Sequence, residues 1–144
     1  MKILACRGRN SQRGAAQIEF ALSILLTMFL IFWMFEMIMV VYTYSVLADA
    51  AKEGVRYAIV HGSNNGSPSG PKDDDPAITS VVNGYAKLSL HNISSINIHT
   101  TYPETSNDPP HMVKVDVTYT YVPYIALPFT YPSIHTTAQG RIIN

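Results

Sequence analysis

The hydrophobic and polar positions divide the chain into an apolar N-terminal part and a more mixed C-terminal part. Between residues 18 and 46 only Glu19 and Glu36 are charged, and about 20 apolar residues are enough to cross a bilayer as an α-helix. The run contains neither proline nor glycine, so no helix breaker interrupts it. The pattern therefore predicts a membrane-spanning helix.

Beyond residue 46 the pattern becomes amphipathic, which predicts that the same helix continues outward as a stem. The apolar positions recur at helical spacing, with charged positions opposite them. The apolar positions are Leu47, Ala51, Gly54, Val55 and Ala58. The charged positions form two acid-first pairs that support a solvated face, Asp49 with Lys52 and Glu53 with Arg56. We therefore expect one continuous helix over residues 15–60.

A loop and a second helix are predicted after the stem. Residues 61–76 are rich in Gly, Pro, Ser, Asn and Asp, which is typical of a loop. Asp75 followed by Pro76 indicates an N-cap with proline at the first helical position. The second helix should continue to about Leu90. Its expected buried face comprises Ile78, Val81, Val82, Tyr85, Leu88 and Leu90.

The C-terminal part alternates between apolar and polar residues with a period of two, which predicts β-strands. The clearest stretch is MVKVDVTYTYV, with valines and tyrosines on one face. ISSINIHTTY precedes it across a hairpin-like loop, PETSNDPPH. SIHTTAQGRII follows it after the proline-containing excursion PYIALPFTYP. The prediction is an α+β fold in which residues 77–144 form a domain of one helix packed on a three-stranded antiparallel sheet.

Charge is sparse and unevenly placed. Charged residues make up 14% of the 144 residues and the formal net charge is zero, which argues against a nucleic-acid partner. Lys2, Arg7, Arg9 and Arg13 precede the apolar run without any accompanying acid. This asymmetry predicts that residues 1–14 are a cytoplasmic leader and that the C-terminal domain lies outside the cytoplasm.

The remaining chemistry-bearing residues form no recognisable catalytic or metal-binding motif. The five histidines lack the i,i+4 spacing of helical metal ligands. Asp73–Asp75 lack the alternating oxygens and turning glycine of a calcium loop and are interpreted as a solvated, helix-capping run. No GxSxG motif organises a nucleophile, and Cys6 is the single cysteine, so no internal disulfide can form. The sequence predicts a protein that is not an enzyme and holds neither metal nor cofactor.

Glu19 raises a physical question, because an ionised carboxylate costs about 2.5 to 3.5 kcal/mol at the centre of a membrane helix. Cutting the chain after Gly14 would give Ala15 a free ammonium group, and Glu19 follows four residues later on the same helical face. A helix N-terminus also favours a carboxylate electrostatically. Pairing with this amine, or with that of a neighbouring helix, would offset the cost of the charge.

The sequence around these residues resembles a known family. RGAAQIEFALSILL is similar to the processing site of class III signal sequences, which a prepilin peptidase cuts after glycine on the cytoplasmic side. Together with FEM near the outer end of the run and LADAAKEGVRYAIV after it, about the first 60 residues resemble the TadE-like family of tight-adherence (Flp) pilus assembly proteins. The resemblance extends more loosely to VKVDVTYTYVPYIALPF and TTAQGRI.

The resemblance implies a minor pilin or pseudopilin that is anchored in the bacterial cytoplasmic (inner) membrane by a single pass and acts in or at the base of a surface pilus. It implies cleavage between Gly14 and Ala15, and a role for Glu19 in pairing with an N-terminal amine during assembly. The implied partners are the prepilin peptidase, other tight-adherence pilus subunits with their assembly platform, and the lipid bilayer. Homo- or hetero-oligomers would form through the N-terminal helix.

Three further residues are candidate helix–helix contacts: Phe20, Glu36 and Gly54. Glu36 lies 17 residues after Glu19, about 25 Å along a helix, so it either reaches the outer membrane interface or meets a specific partner. AAKEGVRYA is either a solvated stem or a docking surface. Gly54 within it costs about 1 kcal/mol of helix propensity against alanine and indicates close approach of another backbone.

Two other functions fit parts of the sequence. The chain could be a single-pass accessory or sensor subunit that is never cleaved, or a secreted soluble domain released by signal peptidase at Ala48–Ala50. The apolar run is longer than the 7 to 15 residues typical of a signal core and contains Glu36, which argues against release. The N-terminal residue of the mature protein distinguishes the three: Ala15, Met1, or a residue near Ala50.

Overall fold

The computed structural model describes residues 9–126 and 130–144, with side chains from Gly14 onward in these ranges. The chain divides into two units, one ending at Ile38 and one spanning Met39–Asn144. The elements are helices α1 (Arg9–Val60) and α2 (Pro76–Lys87) and strands β1 (Ile96–Thr101), β2 (Met112–Thr120) and β3 (Ser133–Arg141). The predicted α+β fold is confirmed.

Helix α1 is continuous over Arg9–Val60, and from Gly14 onward it is long and apolar enough to cross a membrane. The prediction of one helix that ends at Val60 is confirmed. The helix includes residues 9–14, ahead of the predicted start at about Ala15, because no proline lies in this stretch and a single glycine weakens a helix without ending it.

Helix α2 begins as the sequence predicts. The Asp75 carboxylate accepts a hydrogen bond from the Ala77 N–H at 2.8 Å, and Pro76 lies in the first turn. The helix ends at Lys87 rather than at about Leu90. Its buried residues are Ile78, Val82 and Ala86.

Two residues that were predicted to lie on the buried face of α2 are exposed, so the prediction is wrong for them. Tyr85 is 44% exposed and Leu88 is 83% exposed. The stripe that packs on the core follows i, i+4 and i+8 from Ile78, and this spacing rotates around the helix away from Leu88. Leu90, beyond the end of the helix, is buried as predicted.

The three strands form an antiparallel sheet in the order β1-β2-β3. Val115 pairs with Thr100 on one side and Ala138 on the other, so these residues share one face of the sheet. The predicted alternation of β2 is confirmed, because Val113, Val115, Val117 and Tyr119 are at most 1% exposed while the polar residues between them face the other side.

The core lies between this sheet face and both helices. A Cβ atom placed on Gly54 of α1 would lie 2.5 Å from Val82 Cγ2 and 3.7 Å from Val115 Cγ1, so α1 approaches both α2 and the sheet closely there. Gly140 on β3 faces Val55 of α1 in the same way. The buried apolar residues of α1 are Val46, Leu47, Ala50, Ala51, Val55 and Ala58.

The part of α1 beyond Met39 packs with α2 and the sheet. The predicted domain began at residue 77 and contained one helix, with residues 15–60 as anchor and stem, and these bounds stay a prediction. The compact unit that begins at Met39 contains the outer part of α1 as well as α2 and the sheet. The cause is the inner face of α1, where alanine and glycine at helical spacing allow close packing.

The acidic run Asp73–Asp75 covers the free edge of β1 in addition to capping α2. The Asp74 carboxylate accepts a hydrogen bond from the Thr100 N–H at 3.1 Å, and the Asp73 carboxylate accepts one from the Tyr102 N–H at 3.3 Å. The Asp74 N–H donates to the Thr100 carbonyl at 3.0 Å. An edge strand with paired backbone groups is protected from association with other strands.

The C-terminal end of α1 is capped by a residue of the following loop and by the last residues of the chain. The Val60 carbonyl accepts hydrogen bonds from the side-chain amides of Asn65 at 3.0 Å and Asn144 at 3.2 Å. The Ile143 N–H donates to the Ile59 carbonyl at 3.3 Å. Because a helix leaves its last carbonyls without partners inside the helix, these bonds stabilise the end of α1.

Candidate assembly site on helix α1

Gly14, Ala15 and Glu19, the residues of the predicted processing site, all lie in α1. Ala15 and Glu19 are both exposed, and residues four apart on a helix are neighbours with Cβ atoms about 5 to 6 Å apart. An ammonium group created at Ala15 could therefore reach the Glu19 carboxylate without a change in the helix. The helix thus presents the two groups in the geometry that the pairing hypothesis requires.

Gly14 has no packing role in the described chain. A Cβ atom placed on it would meet no described atom within 4 Å, so alanine would fit equally well. Glycine in a helix costs about 1 kcal/mol against alanine. A destabilising residue without a packing reason is a candidate for a functional one.

The hydroxyl groups that follow Glu19 are satisfied within the helix itself. Ser23 Oγ donates to the Glu19 carbonyl at 2.8 Å, and Thr27 Oγ1 donates to the Ser23 carbonyl at 2.8 Å. Internal hydrogen bonds of this kind suit a lipid environment, which offers polar groups no other partner. The Glu19 carboxylate forms no ion pair among the described side chains, so it can accept a partner from outside.

Phe20 belongs to a continuous exposed apolar face on α1. It is 67% exposed, and Leu25 and Phe32 on the same side are 67% and 44% exposed. The residues that line a shallow apolar groove on this face are Phe20, Ala21, Ile24, Leu25, Met28, Phe29 and Phe32. Apolar surface of this extent marks contact with lipid or with another protein.

Glu36 and Gly54 differ from Phe20 in being buried or enclosed. The Glu36 side chain is only 3% exposed, and its role as a helix–helix contact stays a prediction. Gly54 packs against Val82 and Ile78 of α2, so its close neighbour is a helix of the same chain. The structure does not bring the three candidate contacts together.

The stretch AAKEGVRYA has a solvated outer face and a docked inner face. Lys52 Nζ lies 3.0 Å from Asp49 Oδ1, and Arg56 lies 3.7 Å from Glu53, with all four side chains at least 40% exposed. These are the two pairs that the sequence predicted. The inner face docks on the core of its own unit.

A second polar cluster surrounds Asp116 on the outer face of the sheet. Its carboxylate accepts a hydrogen bond from Thr137 Oγ1 at 2.5 Å and pairs with Lys114 Nζ at 2.9 Å, while His135 Nε2 lies 3.8 Å away. Burial raises the pKa of Asp116, but the hydrogen bonds from Thr137 and Lys114 outweigh this and hold the pKa below its ordinary value. Within the described residues no group of three or more His, Cys, Asp or Glu could hold a metal ion.

Among the described residues, one helix is long and apolar enough to cross a membrane, and its chain continues into a compact α+β unit. This is the arrangement expected of a single-pass membrane protein. Residues 14–56 match the sequence profile of the TadE-like protein family. The matched segment begins at the glycine of the predicted processing site and includes Glu19, the exposed apolar face and Gly54. The resemblance to the TadE-like family is thereby confirmed over this segment. No curated protein and no solved structure matched the chain.

Proposed function

We propose that this protein is a TadE-like minor pilin or pseudopilin, which acts in the assembly of a tight-adherence, type IV-like pilus and is not an enzyme. The observation that carries the proposal is the start of α1, where Gly14, Ala15 and Glu19 precede the exposed apolar face. A glycine without a packing role and a carboxylate at the entrance of a membrane-length run both reduce stability. Cleavage after the glycine and pairing of the carboxylate would give each residue a function that accounts for its cost in stability.

The proposed processing step creates an ionic partner for Glu19. A prepilin peptidase hydrolyses the Gly14–Ala15 peptide bond, which leaves Ala15 with an α-amino group. Such groups have an ordinary pKa of about 7.7 to 8.0, so most are charged at neutral pH. Two opposite unit charges about 4 Å apart attract by about 4 kcal/mol at an effective dielectric constant of 20. This attraction is similar in size to the insertion cost of the carboxylate, about 2.5 to 3.5 kcal/mol.

The proposed assembly step uses the exposed apolar face. Helices of several subunits, identical or different, would bundle through the side of α1 that carries Phe20 and Phe32. The ammonium group of one subunit would pair with Glu19 of its own chain or of a neighbour and so fix the axial register of the bundle. Glu19 is suited to this role because a charge in lipid is satisfied in few arrangements.

The proposed orientation places residues 1–14 in the cytoplasm and the Met39–Asn144 unit outside the bacterial inner membrane. Its support is the cluster of Lys2, Arg7, Arg9 and Arg13 ahead of the apolar run. A reporter enzyme fused after Asn144 should be active only outside the cytoplasm. Activity inside the cytoplasm would contradict this orientation.

The N-terminal residue of the mature protein tests the proposal. In cells that contain a prepilin peptidase we expect N-terminal sequencing and intact mass to identify Ala15. Gly14→Leu should leave the precursor intact, whereas Gly66→Leu, at a loop glycine that also has open space around it, should be processed normally.

Each competing function predicts a different result. A mature N-terminus near Ala50 would mean a secreted domain, and retention of Met1 in the native protein would mean an uncleaved accessory or sensor subunit. Normal processing of Gly14→Leu would rule out Gly14 as the cleavage site.

A further inference from the structure

Three segments without charged residues meet at one end of the Met39–Asn144 unit. Residues 39–48 and 88–98, and on the third segment residues 117–126 and 130–134, contain no Asp, Glu, Lys or Arg. The first segment lies where α1 enters the unit, the second joins α2 to β1, and the described parts of the third lead out of β2 and into β3. Together they form what we call the charge-free end.

Contacts within the unit establish that these segments are neighbours. A shallow groove is lined by α1 and the start of β3, through Val40, Val41, Tyr44, Ser133, Ile134 and His135. The Tyr119 hydroxyl at the end of β2 donates to the Asn92 carbonyl at 2.8 Å. The rings of His91 and Tyr124 lie with centroids 4.2 Å apart.

The charge-free end carries large apolar side chains that are at least 44% exposed. Leu88 is 83% exposed at the end of α2, and Tyr124 is 44% exposed on the β2–β3 connection. Val41 and Tyr44 on α1 are 63% and 53% exposed. The exposure of Leu88, which the sequence pattern did not predict, is thus part of a wider surface.

The opposite end of the unit is polar and charged. Asp73–Asp75 lie there against β1, and Glu104 and Asp108 lie in the β1–β2 loop. The buried Asn107 amide donates to the Ser69 carbonyl at 3.0 Å and ties the two loops together. The unit is therefore polarised along α1, with its charge-free end where the chain arrives from the apolar run.

We propose that the charge-free end rests in the interfacial layer of the lipid bilayer, with Leu88 and Tyr124 inserted among headgroups and upper acyl chains. The proposal depends on the membrane anchoring by α1 in the proposed function and adds a second membrane contact to it. We infer lipid as the partner because the exposed apolar surface of α1 continues from the apolar run into this end of the unit. The exposed side chains from Met37 through Tyr44 include no charged residue.

The residue types at this end suit a membrane interface. Tyrosine is enriched at the boundary between acyl chains and headgroups, where its ring is apolar and its hydroxyl is hydrated. Lys87 beside Leu88 is exposed, and a lysine can extend its ammonium group toward phosphate while its methylene stem covers apolar surface. Two contacts at separate elements would hold the unit in one orientation on the membrane.

Site-specific fluorescence in vesicles tests the proposal. The full chain with Cys6→Ser would carry single cysteines, each labelled with the environment-sensitive dye NBD, in vesicles of phosphatidylcholine and phosphatidylglycerol. The test positions are Leu88→Cys and Tyr124→Cys. Lys72→Cys at the charged end is the control for solvent, and Phe29→Cys in the apolar run is the control for spanning.

We expect labels at positions 88 and 124 to be quenched several-fold more strongly by lipids carrying a shallow nitroxide than the label at position 72, and to be shielded from aqueous iodide. Three outcomes would overturn the proposal. One is equal access of iodide to positions 88 and 72. Another is equal lipid quenching at these positions, and the third is shielding of position 88 from both quenchers, which would indicate a protein partner.

The label at position 29, in the apolar run, distinguishes failure of the interfacial contact from failure of the membrane anchor. Quenching of the label at position 29 by deep nitroxides, without quenching at position 88, would refute the interfacial contact and leave the anchor of the proposed function intact. Absence of quenching at position 29 would refute the anchor itself and with it the interfacial contact.

Discussion

At the scale of single residues, Glu19 is the side chain whose chemistry is least explained by its own chain. It is exposed on α1 at the entrance of an apolar run, and its cost in lipid has no compensation among the described side chains. Sequence reasoning could find it, because a lone acid in such a run is visible without coordinates. The sequence could not give the burial of Glu36, because the pattern of a uniformly apolar helix does not show which of its side chains are covered.

Replacing Glu19 by glutamine separates its charge from its shape. We expect Glu19→Gln to be cleaved and membrane-located as the native protein is, but to fail in pilus formation or partner capture. Glu19→Ala should insert as well or slightly better, since it removes a charge from lipid. Glu19→Asp should restore assembly in part, because it returns the charge at shorter reach.

The matched control for Glu19 is Glu53→Gln, which removes an exposed carboxylate paired only with Arg56 at 3.7 Å. Exposed pairs of this kind contribute little, so piliation should be unchanged. Full piliation by a processed Glu19→Gln protein would show that the carboxylate is not the register mark. The functional assignment would then rest on family resemblance alone.

Asp116 makes a prediction about pH. Its folded-state pKa is lowered, so its contribution to stability is present above the unfolded pKa, about 3.9, and is lost as pH falls through the folded value. The thermal midpoint should therefore fall below about pH 4, and Asp116→Asn should flatten this dependence. At pH 7 the variant should lose on the order of 1.5 kcal/mol, the low end for hydrogen bonds to a charged group.

Thermal unfolding in detergent measures this effect. The pH should run from about 3 to about 7, so that the range includes the unfolded carboxyl pKa. Asp49→Asn is the control, because Asp49 is 57% exposed and pairs only on the helix surface. If the Asp116 and Asp49 variants have the same acid profile, the Asp116 cluster does not contribute to acid stability.

At the scale of elements, the sequence predicted the type of each helix and strand better than it predicted which side chains are buried. The alternation of β2 and the cap of α2 were read correctly because each depends on local chemistry. The exposure of Tyr85 and Leu88 was missed because an apolar residue at helical spacing is buried only where another element covers it. The docking of α1 had a visible signal in the small residues Ala50, Ala51 and Gly54 at helical spacing, since small residues allow close approach.

Two helical glycines provide a matched test of this docking. Gly54→Ala places a Cβ atom 2.5 Å from Val82 Cγ2, and overpacking of this kind costs about 1 to 3 kcal/mol, more than the gain in helix propensity of about 1 kcal/mol. Gly84→Ala in α2 meets no described atom within 4 Å and should stabilise by about 0.5 to 1 kcal/mol. Urea unfolding of both variants measures the opposite signs, and stabilisation by Gly54→Ala would contradict the close approach.

At the scale of the whole molecule, the sequence predicted the helix and sheet layers but not the packing of the outer part of α1 on them. The change from an apolar to an amphipathic pattern near residue 46 was interpreted as the start of a free stem. The same pattern also describes a helix that covers its own sheet, and periodicity alone does not distinguish the two. The close approach of Gly54 to Val82 and Val115, and of Gly140 to Val55, distinguishes these interpretations.

The boundary has a direct consequence for fragments of the protein. A fragment of residues 61–144, close to the domain that the sequence alone suggested, lacks the inner face of α1 and leaves Val113 and Val115 uncovered. Loss of Leu47 and Val55 alone removes about 3 to 6 kcal/mol of burial, against a total stability of about 5 to 15 kcal/mol for a typical domain. We therefore expect this fragment to lack a cooperative transition.

A fragment of residues 43–144 retains every buried apolar side chain of α1 and should unfold cooperatively, with slow amide exchange in β2. Because it contains no cysteine and no described group suited to metal, neither reductant nor chelator should change its thermal midpoint. Circular dichroism and hydrogen exchange on the two fragments give the measurement. Equal exchange protection of β2 in both would mean that the sheet and α2 form a sufficient core, and that the inner face of α1 is a dispensable cover rather than a layer of the fold.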